Sequence, residues 1–143
     1  MELMKAAVTA ASGESRIDVR LKLSALWASV MFCYIYADYF GLYVPGKLEG
    51  MLAGRMGPLG QTTQGVLLGA SVTMAIPSVM IFLSLALKSA LNRWVNIICG
   101  ILYTIIILMT MWRWTFYVFF GAIEAVLTGL VVWYAWSWPK RQA

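Results

Sequence analysis

The sequence predicts an all-α fold: a four-transmembrane-helix bundle, both termini cytoplasmic, with a short interfacial segment between the first two spans. Three observations carry that reading. Of the 143 residues, 62% are hydrophobic and only 12% are charged, which is not the composition of a soluble domain. The apolar residues fall in four blocks, each close to the roughly 20 residues a helix needs to cross a bilayer. The basic residues flank those blocks and gather on alternate connections, as membrane topology demands. The spans leave no room for a soluble domain. A single membrane domain therefore occupies residues 23–138, between a cytoplasmic segment (1–22) and a cytoplasmic tail (139–143).

Several function classes are excluded early. The chain has no histidine, which removes histidine-ligated haem, most zinc and copper sites, and histidine-based acid–base chemistry. Cys33 and Cys99 stand alone within predicted spans and form no C-x-x-C pair, so they read as small buried hydrophobes. A disulfide between them is left open. The net charge of +5 borders the spans instead of forming a face, so nucleic acid is not an expected partner. No cofactor and no metal site is predicted.

Taken in order, Met1 to Ala11 reads as a weak helical run, and Ser15 with Asp18 matches the spacing of a capping box. A cleaved signal peptide fits poorly, because the basic region is long and late and no small-residue cleavage site follows. The first span (23–44) ends at Pro45-Gly46. Ala25, Ser29, Cys33, Ala37 and Gly41 recur every four residues along it, a ladder on which another helix backbone can pack closely. In the only long loop, Leu48, Met51 and Leu52 share a helical face, which predicts a short helix lying on the membrane surface. A re-entrant or lid role for this loop is the alternative.

The second span (64–87) opens with the pair Gly65 and Gly69, and Pro77 at its middle frees the carbonyl of Thr73. A short basic turn with Lys88, Asn92 and Arg93 leads to the third span (94–112), where Asn96 is placed to cap or to bond across helices. Gly100, Thr104 and Thr110 add small or polar packing positions. The turn Trp112-Arg113-Trp114 forces a tight antiparallel hairpin with the fourth span (114–138). Lys5, Arg16, Arg20, Lys22, Lys88, Arg93, Lys140 and Arg141 fall on one side, against Lys47, Arg55 and Arg113 on the other, which puts both termini inside. Tryptophans agree: Trp27, Trp94, Trp133, Trp136 and Trp138 gather toward the inner interface, and Trp112 and Trp114 mark the outer one.

Glu124, halfway along the fourth span, is the sharpest candidate. A charged carboxylate at membrane midplane costs about 2.5–3.5 kcal/mol on insertion scales, so it faces protein or water and has a partner. Helical spacing puts it on a face with Tyr117, Phe120, Gly121, Thr128 and Val131, while Gly121, Ala125 and Gly129 supply a packing stripe. Two readings stand. Glu124 exchanges a proton or cation, or serves as counter-ion to a cationic ligand; or it is a neutral acid bonded to Tyr103, Tyr34 or Thr128 that holds helices together. Asp38 lies nearer the outer end, with Tyr34 and Tyr36 beside it, and is a second intramembrane acid. Arg113 either pairs with Asp38 or snorkels to the outer headgroups, the latter being preferred. The candidate ligand or proton site is thus Glu124, Asp38, Tyr34, Tyr103, Tyr117, Thr128 and Arg113. No catalytic set of nucleophile and base is present.

Tyr34-Ile35-Tyr36-Ala37-Asp38 followed by Pro45-Gly46 resembles the first-helix motif of an uncharacterised family of small bacterial four-helix membrane proteins. Asn92-Arg93-Trp94-Val95-Asn96-Ile97, Gly121-Ala122-Ile123-Glu124 and Trp136-Ser137-Trp138-Pro139 fit the same resemblance. It implies a fold and no activity. A more distant likeness to DoxX-like four-helix proteins concerns architecture alone. The functional expectation is an integral protein of the bacterial inner membrane that binds or moves a small molecule, proton or cation, as an oligomer built on the small-residue ladders. The alternative is an accessory subunit binding a lipid, quinone or membrane-protein partner, with its acids serving packing. An enzyme is the weakest of the three.

Overall fold

The computed structural model describes residues 17–138. The helical run at Met1 to Ala11, the Ser15 half of the capping pair, and Lys5, Arg16, Pro139, Lys140 and Arg141 lie outside the described residues. Among the described residues the chain is all-helical. Four long helices, α1 (Val19–Gly41), α3 (Gln64–Ala86), α4 (Ser89–Thr110) and α5 (Thr115–Trp136), are each long and apolar enough to cross a membrane. A fifth, short helix, α2 (Lys47–Leu52), follows α1 as the loop pattern predicts, and a 3-10 turn at Gly57–Leu59 precedes α3.

Local chemistry fixes the ends. Asp18 caps α1, its Oδ1 accepting from the Arg20 amide at 2.9 Å, so α1 begins four residues before the expected span. Thr63 caps α3 in the same way through the Val66 amide. Between α3 and α4 the expected basic turn shrinks to Leu87 and Lys88, because both residues are extended and Asn92 and Arg93 already belong to α4. Gly46 turns the chain between α1 and α2 at φ 78°, a left-handed conformation that side chains resist.

The four long helices alternate in direction, so α1 starts and α5 finishes at the same, termini end; α2 and the Trp112–Trp114 turn mark the loop end. Around the bundle the order is α3, α1, α5, α4. Helix α1 packs along α3 and α5, and α5 along α4, whereas the backbones of the consecutive helices α3 and α4 stand farther apart and are bridged by side chains. The bundle is an arc whose last seam is wide.

Large apolar side chains cover the outside as fully as the inside. Phe32, Leu68, Phe82, Ile98 and Val126 are all exposed, whereas a soluble bundle would present a polar face there. In hydrocarbon that exposure carries no penalty, and the helices satisfy their own backbone groups. The buried core of Leu23, Trp27, Met80, Ile97, Tyr103, Val131, Ala135 and Trp138 occupies the termini half. Trp27, expected at the interface, is instead fully buried in this core, and Trp138 is buried at its edge. The reason is polar: Trp27 Nε1 donates to Asn96 Oδ1 at 2.7 Å, which removes any need for its indole to reach water.

A compact polar knot surrounds that bond. Asn96 Oδ1 also accepts from Ser84 Oγ at 3.2 Å, Asn96 Nδ2 donates to Asn92 Oδ1 at 2.6 Å, and Asn92 Nδ2 donates to the Ser84 carbonyl at 2.6 Å. Ser24 Oγ ties α1 to the carbonyl of Ile81 at 2.8 Å. Helices α1, α3 and α4 are joined here by side-chain bonds within a medium that offers no competing water.

Small residues play unequal parts. Gly100 lets α4 approach α5 so closely that a Cβ would stand 2.7 Å from Val132 Cγ2, and Gly121 does the same against Met111 Cβ. Ala37 and Gly41 of the predicted ladder are buried, Ser29 and Cys33 are half-buried, and Ala25 is exposed. Gly65, Gly69 and Gly129 are exposed and Ala125 is half-buried, so the stripe beside Glu124 packs only at Gly121. The helical period groups these residues on faces; it does not say which faces meet within one chain.

Candidate functional site

With the core confined to the termini half, the loop half encloses a cavity of about 860 Å³ between α1, α3, α4 and α5. Residues of the α1–α3 connection, Val44 to Lys47, Gly50, Met51 and Arg55 to Leu59, form part of its wall at the loop end. Six of the seven predicted site residues line it: Tyr34 and Asp38 from α1, Tyr103 from α4, Arg113 from the turn, and Tyr117 and Glu124 from α5. The sequence spacing explains the convergence. On α5, Tyr117, Phe120, Gly121 and Glu124 lie at steps of three or four and so share a face.

Glu124 is only 4% exposed, and its Oε1 has no hydrogen-bond partner. The hydroxyl of Tyr34, buried on the facing helix, is likewise unpartnered. Neither of the hydrogen bonds expected for Glu124 from Tyr103 or Thr128 forms. Tyr103 donates to the backbone carbonyl of Thr73. Thr128 lies one turn beyond the cavity, where its Oγ1 donates to the Glu124 backbone carbonyl at 2.9 Å and meets Thr104 Oγ1 at 2.7 Å. Thr128 thus fastens α5 to α4 and does not touch the carboxyl.

Tyr103 is 1% exposed and held from behind by Trp27, whose ring meets it edge-on with centroids 5.9 Å apart. Its bond to Thr73 answers the sequence prediction that Pro77 frees that carbonyl. Together Tyr103 and Thr73 form part of the cavity wall between α3 and α4.

Asp38 and Glu124 line the same cavity, Asp38 close to the loop end of α1. Arg113 and Asp38 line the same space without forming a salt bridge. Two further cations were not among the predicted site residues: Lys47 at the start of α2 and Arg55 in the loop. Lys47 Nζ donates to Tyr117 Oη at 3.1 Å and sits over its ring at 5.9 Å. The two residues are 70 positions apart, so no local pattern announces that contact. Tyr36 is exposed and is not a lining residue. Cys33 and Cys99 are free.

Chemically, the site offers an unpartnered carboxyl and phenol at its base, aromatic and aliphatic walls, and cations at its loop end. That combination can hold a ligand; it contains no nucleophile poised beside a base. No curated protein and no solved structure matches the chain. A family of unknown function, DUF6326, matches residues 14–143, and the chain accordingly belongs to that family.

Proposed function

We propose that the chain is a multi-pass protein of a cytoplasmic membrane, with both termini inside, that binds a small molecule or cation in the loop-half cavity through Glu124. The observation that carries this reading is the carboxyl itself. Burying an unpartnered acid is costly, and membrane proteins keep such groups where a ligand, ion or proton path needs them. If Glu124 served packing alone, it would bond a neighbouring helix, and its Oε1 has no such partner. The neighbouring Tyr34 hydroxyl, also unpartnered, supports the same conclusion.

Binding is favoured over permeation. On the side of Glu124 away from the loops, the core and the Asn92–Asn96–Ser84 knot fill the bundle, and movement across the membrane would have to pass them. An oligomer belongs to the same reading: Gly65 and Gly69 present a small-residue surface on α3 that nothing among the described residues covers tightly.

The test uses the full chain in lipid nanodiscs and native mass spectrometry. Wild type should retain a non-protein molecule that Glu124→Gln loses, while both variants elute as folded species. Identical ligand content in the two, with Glu124→Gln merely less stable, would assign the acid to packing instead.

A further inference from the structure

We propose that the cavity takes a lipophilic cation, an ammonium or phosphonium centre on an apolar body, and admits it sideways from the bilayer between α3 and α4. This rests on the cavity being a ligand site and names the class of ligand and its route.

Asp38 and Glu124 line one space, and among the described residues neither is joined to a basic residue by a salt bridge. Two carboxyls lining one space without a salt-bridged cation favour a positive guest. The rings of Tyr34, Tyr103 and Phe120 line the same space, and aromatic faces attract a desolvated cation, whereas the ring of Tyr117 already carries Lys47. The volume of about 860 Å³ exceeds what a bare inorganic ion or small ammonium would fill, so an apolar body is needed to contact the walls.

The route follows from which sides are closed. The core and the asparagine knot fill the termini half. At the loop end, Lys47, Arg55 and Arg113 line the cavity and repel a cation arriving from water. The wide seam between α3 and α4, on the loop side of Tyr103, remains. Met74 of α3 and Ile106 of α4 line the cavity there, and Met74 is exposed. Below them the Tyr103–Thr73 bond closes the seam. A lipophilic cation dissolved in the bilayer therefore meets an apolar doorway and, behind it, the buried Glu124 carboxyl, without passing between Lys47, Arg55 and Arg113.

The experiment uses the full chain in nanodiscs and three probes: tetraphenylphosphonium, its anionic isostere tetraphenylborate, and tetramethylammonium, a cation lacking the apolar body. Tetraphenylphosphonium should bind saturably, and about tenfold or more weakly in Glu124→Gln, as expected for loss of a charged contact in a dry site. Glu124→Asp, which keeps the charge, should bind better than Glu124→Gln, separating charge from misfolding. Tetramethylammonium should fail to compete at equal concentration. Met74→Trp should slow tetraphenylphosphonium association several-fold, whereas Met109→Trp, on the lipid-facing side of α4, should not. Equal binding by wild type and Glu124→Gln, or equal association rates in both tryptophan variants, would overturn the proposal. Glu124-dependent binding of tetraphenylborate without tetraphenylphosphonium would overturn the cation assignment yet leave the cavity a ligand site. No Glu124-dependent binding of any probe, together with no retained molecule, would overturn both.

Discussion

The hydroxyl of Tyr103 donates to the backbone carbonyl of Thr73, the acceptor that Pro77 leaves without its helical donor. A proline inside a membrane helix creates an unsatisfied carbonyl in a medium without water, and a neighbouring helix must answer it. Here the answering group lies on α4 and is aligned by Trp27, which is itself held by Asn96. A continuous chain of contacts therefore runs from the polar knot to the cavity wall.

The first prediction tests that coupling. Tyr103→Phe should cost about 1–3 kcal/mol, the range for leaving a buried polar group unpaired. In a Pro77→Ala background residue 77 regains its amide donor, so the same substitution should cost much less. A double-mutant cycle in denaturant-titrated micelles measures the difference, and equal costs in both backgrounds would show that the Tyr103 bond is not coupled to Pro77.

The polar knot makes a second prediction. Asn96 bonds Trp27, Ser84 and Asn92 within the buried half of the bundle. Asn96→Ala should destabilise the fold by about 2–4 kcal/mol, several orphaned groups being left in hydrocarbon. Thr110→Ala should cost less than about 0.5 kcal/mol, since exposed Thr110 bonds only its own helix. Comparable losses in the two would contradict the knot's role.

A third prediction separates the glycines. Gly100→Ala and Gly121→Ala place a methyl 2.7 Å from Val132 and Met111 respectively and should each cost about 1–3 kcal/mol. Gly129→Ala meets nothing within 4 Å and should be neutral or slightly stabilising. Thermal unfolding of the three variants reads this directly, and a uniform response would show that these close approaches are not tight.

The contrast between those glycines also marks what the sequence could convey. Hydrophobic blocks and their basic flanks are strong, local signals, and the four long helices and the short helix at Lys47–Leu52 follow from them. Pro77 identified the orphaned Thr73 carbonyl, and the α5 spacing grouped Tyr117 with Glu124. Partners across helices were not legible. Tyr103 and Thr73, Lys47 and Tyr117, and Trp27 and Asn96 are 30 to 70 residues apart. Period alone says which face a residue occupies, not which face it meets. Trp27 shows the cost of a statistical rule: tryptophan favours interfaces, yet one buried acceptor was enough to draw it into the core.

A fourth prediction concerns topology. With both ends of the bundle on one side, reporters fused before α1 and after α5 should report the same compartment, and one placed in the Gly57–Leu59 turn should report the opposite compartment. From the basic flanks, that shared compartment is expected to be the cytoplasm. Opposite locations for the two ends would contradict a bundle of four spans.

The central claim is that Glu124 is an acid held in a bilayer-accessible ligand cavity. Labelling with dicyclohexylcarbodiimide, an apolar reagent that modifies membrane-embedded carboxyl groups, tests it most directly. Peptide mapping of the folded chain in nanodiscs should find the adduct on Glu124, absent in Glu124→Gln and suppressed when tetraphenylphosphonium is present. A Glu124 that reacts only after denaturation, or reacts equally with and without the cation, would contradict the account.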